Sequence, residues 1–213
     1  MLEFNVDKIT IPLKQHVGGP CQAIVSVGDH VKRGQLVATP NGLGANIHTS
    51  LSGVVESVDE MNIVVKLDKE QSDDYVKLEP TDDHLQRIKD AGIVGVGGAG
   101  FPTGIKLSAQ IPGGYVIANA AECEPVLGHN VRYMEEHPEE LVRGLKYILK
   151  LTGAKEGYIA IKTKYRKALL ALGKACKDEP NISIKILPNM YPAGDERVIV
   201  RETLGVVLKP GQL

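Results

Sequence analysis

Cysteine is scarce and scattered: Cys21, Cys123 and Cys176 stand far apart and form no CxxC pair. A self-contained iron–sulfur cluster or structural zinc site needs about four ligands in clustered spacings, so the sequence excludes both. An excess of one charge is also missing, since 25 Lys and Arg face 26 Asp and Glu for a net charge of -1. With no long basic run there is no electrostatic case for nucleic acid or anionic lipid as the main partner. The uncharged stretches 91–105 and 107–121 are shorter than the ~20 apolar residues of a spanning helix, and Gly and Pro interrupt both. The opening MLEFNVDKIT carries acidic residues and no apolar stretch. It is not a signal peptide, and a cytoplasmic protein is expected. Aromatics are few, with no Trp and two Phe.

Glycine is what the chain has in plenty, 23 of 213 residues against a usual ~7%. Glycine beyond the needs of turns implies main chain lying close against something. The length suits one large or two small domains with a core that needs no disulfides.

Residues 1–80 read as a small all-β module. Short β-branched runs around VGDHVKRGQLV, SGVVESV and NIVVKL are punctuated by Gly-Asp, Arg-Gly, Asn-Gly and Ser-Gly turns. A charged patch then leads to Glu79-Pro80, and the texture changes from Asp82 onward. DDHLQRIKDAG predicts a short helix closed by Gly92. Further on, a strand over YVIANA is followed by a helix over 137–151, with Pro138 in its first turn and Leu141, Leu145, Ile148 and Leu149 on one face. A strand over 158–162, a helix over 165–177 and a strand over 182–187 complete a β-α-β-α-β order. That order predicts an α/β domain over 81–213, with helices packed on a parallel or mixed sheet.

The pattern G-D-x-V-x-x-G-Q-x-V from Gly28 to Val37, paired with SGVVESV, resembles the barrel-sandwich fold of biotinyl and lipoyl carriers. Those carriers bear their swinging arm on a lysine at a hairpin tip. The corresponding TPNGLGANIHTS has no lysine, so the carrier function is rejected while the fold is kept. His16 and His48 lack acid partners in sequence and read as packed or surface residues. Cys21 has no neighbour that would activate its thiol.

Gly95-Val96-Gly97-Gly98-Ala99-Gly100 satisfies G-x-G-x-x-G, with Glu122 about twenty residues on. A Rossmann site also needs a buried strand before the loop and a long crossover helix after it. Only Ile93 and Val94 precede the loop, and Pro112-Gly113-Gly114 leaves room for about eight helical residues. The Rossmann reading is therefore rejected. Bare backbone here, with Phe101 and Pro102 opening a short helix and Lys106 one turn in, suits an anionic or planar ligand. A tight turn needed only for packing is the competing reading.

After the strand come Asn119 and the segment AECEP, where Glu122 and Glu124 would point the same way if extended. A polar cluster at the C-terminal end of a strand is where open α/β sheets hold ligands. Asn119 can both donate and accept along a heterocycle edge, and the carboxylates can bind ribose hydroxyls or a carboxamide. A solvated acidic loop is the alternative, and a hydrolase using the two glutamates as acid and base is a remote third. Gly194-Asp195-Glu196, after another strand, is a further candidate.

Taken together, GVGGAGFPTGIK, NAAECEP and YPAGDE resemble the flavin-binding domain of the flavin-bearing subunit of respiratory complex I. With QHVGGP and the β module in front, the chain more closely resembles the RnfC subunit of ferredoxin:NAD oxidoreductases. Cobalamin-reductase and PrdC-like electron-transfer proteins share the layout. The resemblance implies an electron-transfer module moving electrons from NADH via FMN to iron–sulfur clusters. It implies that Gly95, Gly97, Gly98 and Gly100 lie along FMN and NADH, that Lys106 and Asn119 contact FMN, and that Phe101 stacks on the nucleotide. Glu122 and Glu124 would place NADH, and Glu196 would border the same pocket. Val96 and Ala121 stand where complex I relatives carry arginine and aspartate. The family continues beyond Leu213 into a β-grasp domain and a domain with two [4Fe–4S] clusters, so a fragment with weak or absent FMN retention is expected. Partners would be other subunits of an electron-transfer complex, holding the protein in the cytoplasm or at the cytoplasmic face of a membrane. A docking scaffold without chemistry of its own is the alternative.

Overall fold

A computed structural model describes residues 6–96, 99–124 and 126–209. The chain folds as two compact units, Met1–Ala109 and Gln110–Leu213.

The first unit begins with seven short strands: β1 Lys8–Pro12, β2 Gln22–Ala23, β3 His30–Val31, β4 Leu36–Thr39, β5 Ile47–His48, β6 Gly53–Val58 and β7 Asn62–Leu67. They form two antiparallel sheets, ordered β1-β7-β6-β3 and β2-β4-β5. Along β7 the alternation buries Ile63 and Val65 while Lys66 stays exposed. These side chains meet Ile11, Leu13, Val31, Val37, Ile47 and Val55 in one apolar core shared by both sheets. This is the barrel-sandwich architecture expected from the sequence. Burial pushes the Cys21 thiol up and the His48 imidazole down from their ordinary ranges.

Helix α1 (His84–Asp90) follows, its first turn capped by the Asp83 carboxylate, which accepts from the Gln86 N–H. It closes at Gly92 with φ +65°. The four-residue helix α2 (Thr103–Lys106) comes after the glycine loop. Sequence texture changes at Pro80, whereas the packing divides the chain at Ala109, so α1, the glycine loop and α2 fold with the β module. Close approaches between bare backbones make that packing possible: a Cβ on Gly92 would lie 2.1 Å from the Asn46 carbonyl oxygen.

The second unit runs β8 (Tyr115–Ala120), α3 (His129–Glu136), α4 (Pro138–Thr152), β9 (Glu156–Lys162), α5 (Arg166–Ala175), β10 (Ile182–Leu187) and α6 (Glu196–Leu204). Its three strands are parallel in the order β10-β9-β8. Strand β9 lies in the middle and is apolar from Ile159 to Ile161, as a strand covered on both faces must be, before it ends in the buried Lys162. Ile159 and Ile161 point to the side of α3, α4 and α5, where Met134, Val142, Leu145, Ala168 and Leu172 complete the core. Ala160 points to the other side, with Leu187, Ala193 and Ile199 of the α6 region. Helix α4 is seated as its sequence dictates, with Pro138 in the first turn and Gly153 closing it at φ +69°. Helices α3 and α6 lie outside the elements expected from the sequence. Helix α3 has no side-chain cap, buries only Met134 and is polar in composition, so HNVRYMEE offers few apolar anchors from which to read a helix.

Leu172 is fully buried on α5. Its replacement by Ala should cost about 2–5 kcal/mol in urea unfolding of the second unit, from lost transfer energy and the cavity left behind. Tyr158 on β9 donates its hydroxyl to Glu156 at 2.8 Å, and that acceptor pushes the phenol up to about 12. A group raised in the folded state stabilises fully below its unfolded value of about 10 and loses that contribution as pH climbs through the folded one. The stability difference between wild type and Tyr158→Phe should therefore shrink between pH 10 and about 12, read by chemical denaturation across that range.

Candidate functional site

The glycine loop of the first unit is held at its stem. Val94 and Pro102 form a single antiparallel bridge, the Gly95 N–H donates to the Phe101 carbonyl at 3.0 Å, and the Thr103 N–H donates to the Ile93 carbonyl at 2.9 Å. No buried strand leads into the loop, in keeping with the rejected Rossmann reading. The two ends of the loop differ. Gly100 has φ +66°, and a Cβ there would press on the His16 Cα at 3.2 Å and the Gln15 carbonyl at 3.3 Å. Its bareness serves contact with the chain's own backbone. Gly95 is exposed, and among the described residues a Cβ there would make only ordinary contact with the Phe101 backbone at 3.8 Å, so close packing does not demand a glycine at this end. Gly97 and Gly98 lie outside the described residues. Val96 is 97% exposed and Phe101 40% exposed, two apolar groups with little of this unit over them. Lys106 ends α2 on the surface, with no partner among the described residues.

In the second unit the loops that leave the C-terminal ends of the three strands are tied to one another. Asn119, near the end of β8, accepts from the Ala121 N–H at 3.1 Å through Oδ1 and donates through Nδ2 to the Gly194 carbonyl at 3.0 Å. The Gly194 N–H in turn donates to Cys123 Sγ at 3.0 Å. Lys162, the last residue of β9, is only 4% exposed. Its ammonium donates to the Glu122 carbonyl at 3.2 Å and to Cys123 Sγ at 3.3 Å. The Tyr165 hydroxyl donates to the same carbonyl at 3.2 Å. These contacts hold Glu122 at φ +32°, a backbone conformation that side chains rarely adopt.

That turn breaks the extended geometry on which the two glutamates would point alike. The Glu122 carboxylate accepts from Asn130 on α3 at 2.9 Å, while Glu124 is exposed. Glu196 begins α6, whose first turn is capped by the Asp195 carboxylate accepting from the Arg197 and Val198 N–H groups. The rim therefore collects Asn119, Glu122, Glu124 and Glu196 at one end of the sheet. Sequence reasoning alone does not find Lys162 and Tyr165. Their one signal is a lysine closing the otherwise apolar strand YIAIK. Among the described residues no cluster of His, Cys, Asp and Glu could hold a metal ion, and no helix is long and apolar enough to cross a membrane.

The contact between Gly194 and Cys123 is testable. A Cβ on Gly194 would fall 2.7 Å from Cys123 Sγ and 3.3 Å from the Ala121 Cβ. Gly194→Ala should cost about 1–3 kcal/mol through overpacking. Adding Cys123→Ala removes the nearer atom, so the pair should be less destabilised than the sum of the single variants. A double-mutant cycle in urea reads the coupling.

Comparison with known proteins covers both units. Residues 88–213, more than half of the chain, match the Nuo51 FMN-binding domain, and residues 4–76 match the RnfC barrel sandwich hybrid domain. The chain is 35% identical to a subunit of the Na(+)-translocating ferredoxin:NAD(+) oxidoreductase complex of Acetobacterium woodii, over 97% of its own length and 51% of the relative's. It is 34% identical to the proton-translocating counterpart of Clostridium ljungdahlii, over 97% of the chain and 49% of the relative. The corresponding subunit of the ion-translocating oxidoreductase complex of Serratia proteamaculans is 31% identical over 97% of the chain and 32% of the relative. The chain thus spans about a third to a half of the length of these curated relatives. With the glycine loop and every rim segment inside the matched span, the chain belongs to the Nuo51 FMN-binding domain family, carrying an RnfC barrel sandwich hybrid domain ahead of it.

Proposed function

We propose that this chain is the flavin- and nicotinamide-binding part of an RnfC-type electron-transfer subunit, which takes electrons from NADH by way of FMN to iron–sulfur centres carried elsewhere. The main support is the family match over residues 88–213, which spans the loop and the rim together. The residues also suit the group. A flat ring needs solvent-exposed main chain, and Gly95 is exposed. A phosphate needs a free cation, and Lys106 has no partner among the described residues.

In this reading Gly95, Gly97 and Gly98 form the surface under the nucleotide while Gly100, expected beside them, seats the loop on the His16 backbone; Lys106 and Asn119 serve FMN, and Phe101 stacks. Glu122 and Glu124 orient NADH, and Glu196 borders the same ligands. Bound FMN supplies the capacity to accept a hydride and to release electrons singly. The chain's own part is placement. The Asn119 amide holds the Ala121 N–H and the Lys162 ammonium holds the Glu122 carbonyl and Cys123 Sγ, so the backbone leading to Glu124 is tied down. The relatives are named as subunits of ferredoxin:NAD(+) oxidoreductase complexes. By extension this protein works beside other subunits, in the cytoplasm or at the cytoplasmic face of a membrane.

Flavin fluorescence quenching during titration with FMN, followed by titration with NADH, tests the proposal. The folded chain should take up FMN reversibly and saturably. Lys106→Ala should weaken FMN by about 10- to 100-fold, the loss of one charge-assisted contact of ~1.5–3 kcal/mol. Glu124→Ala should weaken NADH by a similar factor and leave FMN unchanged. A folded chain that binds neither ligand but retains a partner subunit overturns the reading in favour of a docking scaffold.

A further inference from the structure

We infer that the hairpin tip of the β module, together with His16, acts as a clamp that positions the glycine loop for its flavin. The inference rests on the flavin reading above and assigns a task to a module that has lost the carrier lysine.

His16 is buried in the first unit. Its Nδ1 pairs with the Val17 carbonyl at 3.0 Å, and its Nε2 lies 3.1 Å from both the N–H and the carbonyl oxygen of Ala45 and 3.4 Å from Cys21 Sγ. The ring also fills the space beside Gly44, where a Cβ would lie 2.7 Å from Cε1. One buried imidazole thus joins the 16–17 segment, which follows the exit of β1, to the hairpin tip. Both joined pieces then touch the glycine loop's supports. From the strand exit, the Val17 N–H donates to the Gly100 carbonyl at 3.3 Å, and the His16 backbone packs on Gly100. From the tip, Asn46 Nδ2 donates to the Asp90 carbonyl at the end of α1 at 3.3 Å. The Asn46 carbonyl oxygen lies where a Cβ of Gly92 would sit, 2.1 Å away. The stem of the loop, from Ile93 to Thr103, is therefore gripped at both ends by the β module.

In carriers of this architecture the tip must be free, because it swings a cofactor. Here the Asn46 amide is spent on α1 and the Ala45 N–H on His16, and the Asn46 backbone approaches Gly92 with no side chain between. Such contacts leave little slack. A loop whose exposed backbone must meet a flat ligand gains from that stiffness, because binding then requires less ordering. Neither His16 nor Asn46 touches the ligand in this account; both are positioning residues.

Two substitutions away from the proposed ligand contacts test it. Asn46→Asp places a carboxylate against the Asp90 carbonyl, and Gly92→Ala pushes the tip off α1. Asn46→Ala is the milder control should either fail to fold, as judged by circular dichroism. Amide exchange without flavin should rise at Gly95 and Thr103, whose N–H groups close the loop stem, and stay unchanged in β6 and β7. FMN affinity should fall on the order of 10-fold while the urea midpoint of the β module holds. His16→Gln, which keeps an acceptor for the Ala45 N–H, should retain more FMN affinity than His16→Ala. Variants with native exchange at Gly95 and Thr103, or with wild-type FMN affinity, overturn the clamp. A wild-type chain that takes no FMN instead overturns the functional reading, and the clamp with it.

Discussion

A single buried ammonium organises the loops at the C-terminal edge of the sheet in the second unit. Lys162 sits at the end of the central strand, 4% exposed, with its charge met by a peptide carbonyl and a sulfur. Taking an ammonium out of water is costly unless its hydrogens are accepted. The sheet order explains how the cost is met. Because β9 lies between β8 and β10, the loops leaving its neighbours pass over its last residue, and both contribute to the roof. The Glu122 turn, the Cys123 thiol and Gly194 are arranged around that one charge.

Glycine performs the matching task in the first unit, and its excess has two explanations. At Gly92 and Gly100 the missing side chain lets the chain lie against its own backbone, in left-handed conformations that glycine adopts without strain. Gly95 is exposed, and among the described residues a Cβ there would make only ordinary contact with the Phe101 backbone. Tight packing therefore accounts for one end of the glycine loop and not for the other.

The fold was largely legible because its signals are local. Pro138 and Gly153 bracket α4, and the apolar run of β9 marks a strand covered on both faces. The β module showed itself through turn residues and β-branched runs. What stayed hidden depends on tertiary contact. Helix α3 has no cap and buries one residue, so its sequence looks like a polar loop. The Glu122 conformation comes from Lys162 and Tyr165, some forty positions away, and no spacing rule reports it. Asn119 could be recognised as a residue able to donate and accept, yet its partners, Ala121 and Gly194, follow only from the sheet order.

The winding of the second sheet has a consequence for how anything can rest on it. Its strands follow one another in a single direction, so nowhere do adjacent connections turn away to opposite faces between two strands and leave a slot. Where the first and last connections do diverge, toward α3 and α6, Asn119 and Cys123 stitch them together at Gly194. Under the proposed function, a nucleotide at this edge would meet a sewn seam of peptide groups and would lie across it, held from the sides by whatever carboxylates stand up around it.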